Sequence, residues 1–226
     1  MNYYDQMLAQ GAVMNGGVML QAEGSIGGQL ANPFPGPAKI YAGDLIEHDL
    51  GIVSGKGATI KVLKAYEVAK ATGNATDTVI YLTRNGFVHI PFVGDNIMIG
   101  QKDFKTKGTG VTVTKVEAET DTTAGDVWKV TLSATLGTLR EKTVLVEATA
   151  AGDSVLPMVT NPNCFAPNDY DLPFFDLGGD KYHKPRYNIN FCMLHPDLVM
   201  WKDKMGPVCP AVAAMNKSLY PEFWRI

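Results

Sequence analysis

The segment Gly51-Ile-Val-Ser-Gly55-Lys56-Gly57 is the part of the sequence that comes closest to a phosphate-binding loop. Such a loop needs four residues between its outer glycines and a Ser or Thr after the lysine, so that N–H groups surround phosphate and a hydroxyl reaches Mg²⁺. Here three residues intervene, and Gly57 occupies the position of the hydroxyl residue. The residues that follow predict a strand rather than a helix. We therefore interpret this segment as a glycine turn between strands.

The other residues with obvious chemistry are four histidines and three cysteines: His48, His89, His183, His195, Cys164, Cys192 and Cys209. They show neither Cys-x-x-Cys nor His-x-x-x-His spacing, so no zinc site is predicted. His89 is expected on the polar face of a strand. Asp169, Asp171 and Asp176 form an acidic cluster that lacks the spacing of a calcium loop. We expect no metal, no cofactor and no catalytic residue. A catalytic Cys/His pair whose members are distant in the sequence but close in the fold stays open as an alternative.

The composition is typical of a globular protein with few charges. Of 226 residues, 46% are hydrophobic and 19% are charged, and the formal net charge is −3. Proteins that neutralise many phosphates usually carry a basic excess, so we expect no nucleic-acid partner. No apolar run reaches the roughly 18 to 20 residues of a membrane helix, and the first residues lack a secretory pattern, so we expect no membrane partner. Few cysteines favour a reducing compartment.

Residues 1–43 predict an extended, glycine-rich arm. Its charged residues are Asp5, Glu23 and Lys39, and the prolines within Asn32–Pro37 exclude a helix there. Its larger apolar side chains are poorly suited to full solvation and are candidate subunit contacts: Met7, Leu8, Val13, Met14, Val18, Met19, Leu20 and Ile26. We expect the arm to become ordered against a partner. A flexible terminus, or an arm folded onto its own domain, are the alternatives.

Residues 44–155 predict a β domain. Strands are expected where β-branched residues alternate or cluster: Ala58–Lys64, Thr78–Thr83, Val111–Val116, Val127–Leu132 and Thr143–Glu147. Short strands separated by turn signals favour a small β-barrel or sandwich. The polar stretch Glu119–Gly125 is expected at a hairpin tip. We expect the barrel to be a rigid carrier that contains the following apolar strand residues: Ile60, Val62, Val79, Tyr81, Val111, Val113, Val130, Leu132 and Val144.

Residues 156–226 form a proline- and aromatic-rich segment that we expect to be irregular and partly helical. A helix is expected over Pro196–Met205, because proline suits the first helical position and Gly206 suits its end. A short turn is expected over Ala211–Asn216. The last residues are too apolar to be left in water, so they dock on their own domain or on a neighbour. They add four candidate subunit contacts: Tyr220, Phe223, Trp224 and Ile226.

Five segments of the chain follow one another in a characteristic order: Ile60–Lys64, Phe92–Asp95, Gly108–Glu117, Val130–Leu139 and Val144–Ala148. They give a strand, a Val-Gly-Asp turn, a Val-Thr-Lys-Val strand, a polar hairpin, a Leu-Gly-Thr-Leu stretch and a final strand. This pattern, over residues 58–167, resembles head proteins of tailed bacteriophages, namely head fibre, decoration or auxiliary capsid proteins. The family has no site motif whose residues can be transferred to this sequence.

The resemblance implies a virion structural protein without catalytic activity, assembled in the host cytoplasm and located in the capsid. It implies a capsid decoration or auxiliary head protein that binds and stabilises the shell, with the major capsid protein or other virion subunits as partners. We also expect a homo-oligomer. A phage connector, neck or tail ring protein is one alternative. A carbohydrate-binding β module, with Trp128, Trp201 and Tyr182 as platforms, is another; an enzyme would need an acid and nucleophile pair that the sequence does not show.

Overall fold

The computed structural model describes residues 14–15, 18–19, 24–32, 34, 38–41, 43–49, 58–86, 88–166, 169–172, 186–193 and 206–219. These residues are mainly in β-strands, which confirms the predicted fold class. They group into two compact units. Unit 1 draws on Met1–Val62, Pro162–Met205 and Asn216–Ile226, and unit 2 on Leu63–Asn161 and Gly206–Met215. These boundaries differ from the divisions after residues 43 and 155 that composition suggests.

The elements follow one another along the chain as short strands and one helix. The strands are β1 (Met14–Asn15), β2 (Val18–Met19), β3 (Gly24–Leu30), β4 (Ala38–Ile40), β5 (Leu45–His48), β6 (Ala58–Val62), β7 (Ala65–Lys70), β8 (Val79–Thr83), β9 (Asn96–Ile99), β10 (Gly108–Asp121), β11 (Gly125–Leu132), β12 (Val144–Glu147), β13 (Gly152–Val155), β14 (Cys164–Phe165), β15 (Tyr170–Leu172) and β16 (Arg186–Met193). The helix is α1 (Pro210–Leu219).

Unit 1 contains a closed ring of five hydrogen-bonded strands in the order β14-β16-β3-β6-β5. Strands β3 and β6 are parallel, and the other neighbours are antiparallel. The amide of Asn32 extends the β3–β6 pairing beyond the end of β3: it accepts from the N–H of Val62 at 2.7 Å and donates to the carbonyl of Val62 at 2.8 Å. The buried core of this unit is Leu30, Phe34, Ile40, Ile46, Ile60, Val62 and Ala166.

Part of the predicted N-terminal arm is built into this ring. Ile26 lies in β3, where its backbone pairs with Ile189 of β16. Strands β1 and β2, which contain the candidate contacts Met14, Val18 and Met19, pair with each other. The structure thus matches, for residues 24–30, the alternative in which the arm folds onto its own domain. The other candidate contacts of the arm lie outside the described residues: Met7, Leu8, Val13 and Leu20.

Unit 2 contains one antiparallel sheet in the order β11-β8-β7-β12-β9-β10-β13, and β10 also pairs with β11. Six strands therefore close a second hydrogen-bonded ring, with β13 added to the outside of β10. The ring encloses one apolar cluster: Tyr66, Val68, Ile80, Leu82, Ile97, Val111, Val113, Val130, Leu132, Leu139 and Leu145. The alternation that predicted buried Val111 and Val113 is confirmed.

The strand predicted over Thr78–Thr83 is present as β8, but Val79 and Tyr81, which the sequence analysis named for the barrel, are not part of its buried core. Val79 is 36% exposed and Tyr81 is half-buried, whereas Ile80 and Leu82 are buried. The register explains the difference, because Ile80 pairs with the buried Val130 of β11. Successive strand residues point to opposite faces, so one pairing decides the orientation of the whole strand.

A long hairpin joins β10 to β11, and its arms extend further than predicted. The strands continue to Asp121 and resume at Gly125, so the turn is limited to residues 122–124. Oδ1 of Asp121 accepts hydrogen bonds from the N–H groups of Thr123 and Ala124, at 2.8 and 2.9 Å. Gly125 has φ 75, a left-handed conformation that favours glycine. The tip is therefore stabilised by its own residues.

Helix α1 begins at Pro210, consistent with the preference of proline for the first helical turn. It contains the turn that was predicted over Ala211–Asn216 and continues to Leu219. The helix predicted over Pro196–Met205 lies outside the described residues. So do the four C-terminal candidate contacts: Tyr220, Phe223, Trp224 and Ile226.

Candidate functional site

Unit 2 holds a buried cluster of charged side chains where three neighbouring strands meet. Lys64 immediately precedes β7, Asp95 immediately precedes β9, and Glu147 is the last residue of β12. Strand β12 lies between β7 and β9 in the sheet, with Ala65 opposite Val146. This order brings together three charges that are far apart in the sequence. We call Lys64, Asp95, Glu147 and the adjacent Tyr66 the Lys64 cluster.

The Lys64 cluster is closely spaced and dry. Nζ of Lys64 lies 3.2 Å from Oδ1 of Asp95 and 3.2 Å from Oε1 of Glu147. The side chains of Lys64 and Asp95 are 0% exposed, and that of Glu147 is 2% exposed. The hydroxyl of Tyr66 donates to Oδ2 of Asp95 at 3.1 Å, and the N–H of Phe92 donates to the same oxygen at 3.2 Å. One formal cation thus faces two formal anions without access to water.

Burial of these ions is tolerated because each has close partners of opposite charge. Burial also raises the pKa of Tyr66 well above its ordinary value, and the neighbouring charges of Asp95 and Glu147 act in the same direction. Tyr66 therefore keeps its proton at neutral pH and acts as a hydrogen-bond donor to Asp95. The cluster combines an amine, two carboxyl groups and two fixed donors around one carboxyl oxygen. That set of groups can support proton transfer and acyl chemistry.

The sequence analysis did not single out this cluster as a site. A signal was nevertheless present, because Lys64 and Glu147 are lone charges within the apolar runs Val62–Tyr66 and Val144–Ala148. Charged residues are rarely buried unless they are paired, so a lone charge in an apolar strand indicates a buried partner elsewhere. The identity of that partner depends on the order of strands in the sheet.

The outer surface of unit 2 has a second distinctive region, the β10–β11 hairpin with the adjacent part of β7. Three ion pairs lie along it: Lys115–Glu117 at 2.9 Å, Lys129–Glu119 at 3.4 Å and Lys70–Asp121 at 3.1 Å. The ammonium of Lys70 also lies 5.5 Å from the ring centre of Tyr81. Exposed pairs of this kind contribute little to stability, but they give the surface a mixed pattern of charge. We call this region the hairpin surface.

One edge of the hairpin is open. Strand β10 pairs with β9 at Val111 and Thr112 and with β11 from Val113 onward. Among the described residues, no strand pairs with the second edge of β10 from Thr114 to Asp121. An open edge offers N–H and C=O groups to another chain, and charged side chains such as Lys115 limit indiscriminate pairing there.

A shallow cleft of about 470 Å³ lies beside the hairpin tip, next to β7. Its lining is largely polar and includes Glu67, Lys70, Thr83, Glu141 and Lys142. The hydroxyl of Thr83 donates to Oε1 of Glu67 at 3.3 Å. The cleft lacks the enclosed apolar walls that are usual in small-molecule sites, so we treat it as part of the hairpin surface.

The described residues that the sequence analysis examined for metal or sugar binding are not part of the Lys64 cluster. The prediction for His89 is wrong, because it lies outside the strands and is buried. Within the described ranges, no three His, Cys, Asp or Glu side chains are grouped as metal ligands. Trp128 packs against the core of unit 2, and the guanidinium of Arg84 lies 5.2 Å from its ring centre. Its ring is therefore not an open platform, and Trp201 and Tyr182 lie outside the described residues.

Helix α1, the helix that the structure describes, is too short and too polar to cross a bilayer. The glycine segment Gly51–Gly57 lies outside the described residues.

A scan against protein-family models, a search of curated proteins and a search of solved structures each found no match to this chain.

Proposed function

We propose that this chain is a virion structural protein: a capsid decoration or auxiliary head protein that binds the shell of a tailed bacteriophage and stabilises it. In this role it acts through its surfaces rather than through a reaction. Unit 2 is a rigid carrier, and the binding surfaces are the hairpin surface and the apolar terminal residues. The protein works as a homo-oligomer on the assembled shell.

The observation that carries the proposal is that three of the five phage-like segments contribute one charged residue each to the Lys64 cluster of unit 2. Ile60–Lys64 ends in Lys64, Phe92–Asp95 ends in Asp95, and Val144–Ala148 contains Glu147. These three residues form the Lys64 cluster, with its two contacts of 3.2 Å. A buried charge needs a partner of opposite charge in any fold, and here all three charged partners come from the phage-like segments. Their convergence supports the view that the pattern describes one folded element.

The hairpin surface suits a protein that contacts a repeated lattice. Its open edge offers backbone donors and acceptors, and its alternating charges can match a complementary surface. A single contact of this size is weak. An oligomer that engages several shell subunits at once binds far more tightly, because each later contact is effectively intramolecular.

The alternatives differ in how the structure bears on them. For the carbohydrate-binding module, the described candidate platform, Trp128, is already covered by Arg84 and the core. A connector or tail ring protein shares the same physical basis, an oligomer held by surface contacts. It differs in geometry, because it forms one closed ring rather than contacts repeated over the shell.

Co-sedimentation with empty shells tests the proposal. The shells are assembled from the major capsid protein of the same phage, and the free capsid subunit is the comparison. We expect saturable binding to shells, with no added cofactor, and much weaker binding to free subunits. Protein that stays in the supernatant over a wide concentration range would contradict the proposal. Saturation at one vertex of each particle would favour the connector.

A matched pair of variants tests the hairpin surface. Lys115→Glu places two acidic residues side by side on the open edge, whereas Lys107→Glu makes the same change at an exposed residue just before β10. We expect Lys115→Glu to weaken shell binding and Lys107→Glu to leave it unchanged. Equal binding by both variants, together with insensitivity to moderate salt, would assign the contact to apolar terminal residues instead.

A further inference from the structure

The Lys64 cluster has the geometry of a site for covalent cross-linking. The amine of Lys64 lies within hydrogen-bond distance of two carboxyl groups, 3.2 Å from Oδ1 of Asp95 and 3.2 Å from Oε1 of Glu147. We propose that Lys64 and Asp95 form an intramolecular isopeptide bond between Nζ and Cγ, with loss of one water molecule, and that Glu147 carries the protons. This inference does not rest on the proposed function.

The donors around Asp95 suit it to be the carboxyl group that is attacked. Oδ2 of Asp95 receives hydrogen bonds from the hydroxyl of Tyr66 at 3.1 Å and from the N–H of Phe92 at 3.2 Å. Two fixed donors on one oxygen stabilise the negative charge that develops there when an amine adds to the carbon. The other oxygen, Oδ1, faces Nζ and is the leaving oxygen.

Glu147 is placed to move the protons that this reaction requires. Its Oε1 lies 3.2 Å from Nζ, so it can accept a proton from the Lys64 ammonium and leave a neutral amine. Glu147 passes this proton to Oδ1 of Asp95, and the amine attacks Cγ of the neutral carboxyl group to form the C–N bond. Glu147 then carries the second proton from Nζ to Oδ1, and the bond from Cγ to Oδ1 breaks. Oδ1 departs as water with the two protons that Nζ has lost. Glu147 ends the sequence as the carboxylate it was at the start.

No oxidant, activated intermediate or co-reactant is needed, because ammonium and carboxylate give amide and water. The reaction is unfavourable in dilute solution, and the cluster changes this in two ways. It holds Nζ of Lys64 3.2 Å from a carboxyl oxygen of Asp95, which replaces an encounter between free groups. It also excludes water and exchanges two buried charges for a neutral amide, which removes their desolvation cost.

The bond would connect the residue before β7 to the residue before β9, on either side of β12 in the sheet. Lys64 and Asp95 are 31 positions apart in sequence, so the link closes a substantial loop of the chain. A cross-link of this kind limits the freedom of the unfolded chain and keeps the two strand starts together when unit 2 is strained. The amide N–H can donate to Glu147, and the new carbonyl oxygen keeps the donors Tyr66 and Phe92.

Intact mass spectrometry of the purified full chain under denaturing conditions tests the inference without any variant. We expect a mass lower than the sequence mass by one water molecule, and a peptide in a protease digest that joins Lys64 to Asp95. The full sequence mass would overturn the inference. So would a mass deficit caused by a succinimide at Asp95–Asn96, which also loses water but gives no joined peptide and is reopened by mild base.

Three variants test the assignment of roles. Glu147→Gln keeps the shape of the side chain but cannot accept a proton, and Lys64→Met removes the amine, so both should have their full sequence masses. Lys61→Met, which removes the partly buried pair with Glu47 at 2.7 Å, should keep the deficit. A deficit that persists in Glu147→Gln would overturn the role of Glu147. If that variant does not fold, the joined peptide in the unaltered chain still decides the inference.

Discussion

A methyl group added at Gly110 should disrupt the junction between β10 and β13. A Cβ built at Gly110 would overlap the carbonyl oxygen of Ala150, and it would lie 2.9 Å from Cγ2 of Val155 and 3.3 Å from Cβ of Ala148. The first of these atoms belongs to the backbone and cannot rotate away. Gly86 is the matched control, because it is exposed and a Cβ there would meet no atom within 4 Å.

The size of the effect follows from two opposing contributions. Overpacking by one methyl costs about 1–3 kcal/mol and sometimes more, and replacing glycine by alanine in a strand returns about 0.5–1 kcal/mol. Because the obstacle is backbone, we expect the upper part of the first range, and a net loss of about 1.5–2.5 kcal/mol for Gly110→Ala. For a chain of this length that corresponds to a fall in Tm of about 3–10 °C.

Thermal unfolding monitored by circular dichroism, with hydrogen exchange to locate the change, measures this. Gly110→Ala should melt well below the unaltered chain and lose protection in β13, whereas Gly86→Ala should stay within about 2 °C. Equal melting temperatures for the two variants, with β13 still protected, would refute the packing that the structure shows around Gly110.

Three further predictions concern the two units and the hairpin tip. Asn32→Ala should lower the free energy of unfolding, measured with denaturant, by about 2–3 kcal/mol, because both backbone groups of Val62 lose their buried partners. A decrease of less than about 0.5 kcal/mol would contradict this. Val130→Ala should lower the free energy of unfolding by about 2–3 kcal/mol, because Val130 is buried. Val79→Ala should lower it by less than about 0.5 kcal/mol, because Val79 is exposed. A larger loss for Val79→Ala than for Val130→Ala would contradict the register of β8. Hydrogen bonds from backbone N–H groups of the tip lower the pKa of Asp121 from 3.8 to about 2. The ionised Asp121 carboxylate should therefore stabilise the hairpin tip above the pKa that Asp121 has in the unfolded chain, and this stabilisation should be lost as the pH falls toward 2. An NMR titration of Asp121 can follow the change, and a titration midpoint near 3.8 would contradict the prediction.

The strands could be predicted where one face of a strand is apolar and the other is polar. Val111 and Val113 alternate with threonines, and both are buried as expected. In β8, by contrast, Val79, Ile80, Tyr81 and Leu82 are consecutive and apolar, so the sequence is compatible with either phase. The pairing of β8 with β11 decides between them, and that is a long-range interaction.

The Lys64 cluster could be predicted only in part for the same reason. A lone charge within an apolar run indicates burial, and Lys64 and Glu147 both show this signal. Their meeting with Asp95 depends on the placement of β12 between β7 and β9. No local pattern encodes that order, because strand pairing is decided by the packing of the whole sheet.

The number of copies of this protein in purified phage particles tests the central proposal most directly. Quantitative mass spectrometry can measure it relative to the major capsid protein in the same particles. A decoration or auxiliary head protein should be present in a constant ratio to the shell subunits, and should be lost stepwise when its shell contacts are weakened. Particles that contain only enough copies for one ring, or that contain none, would contradict the proposal.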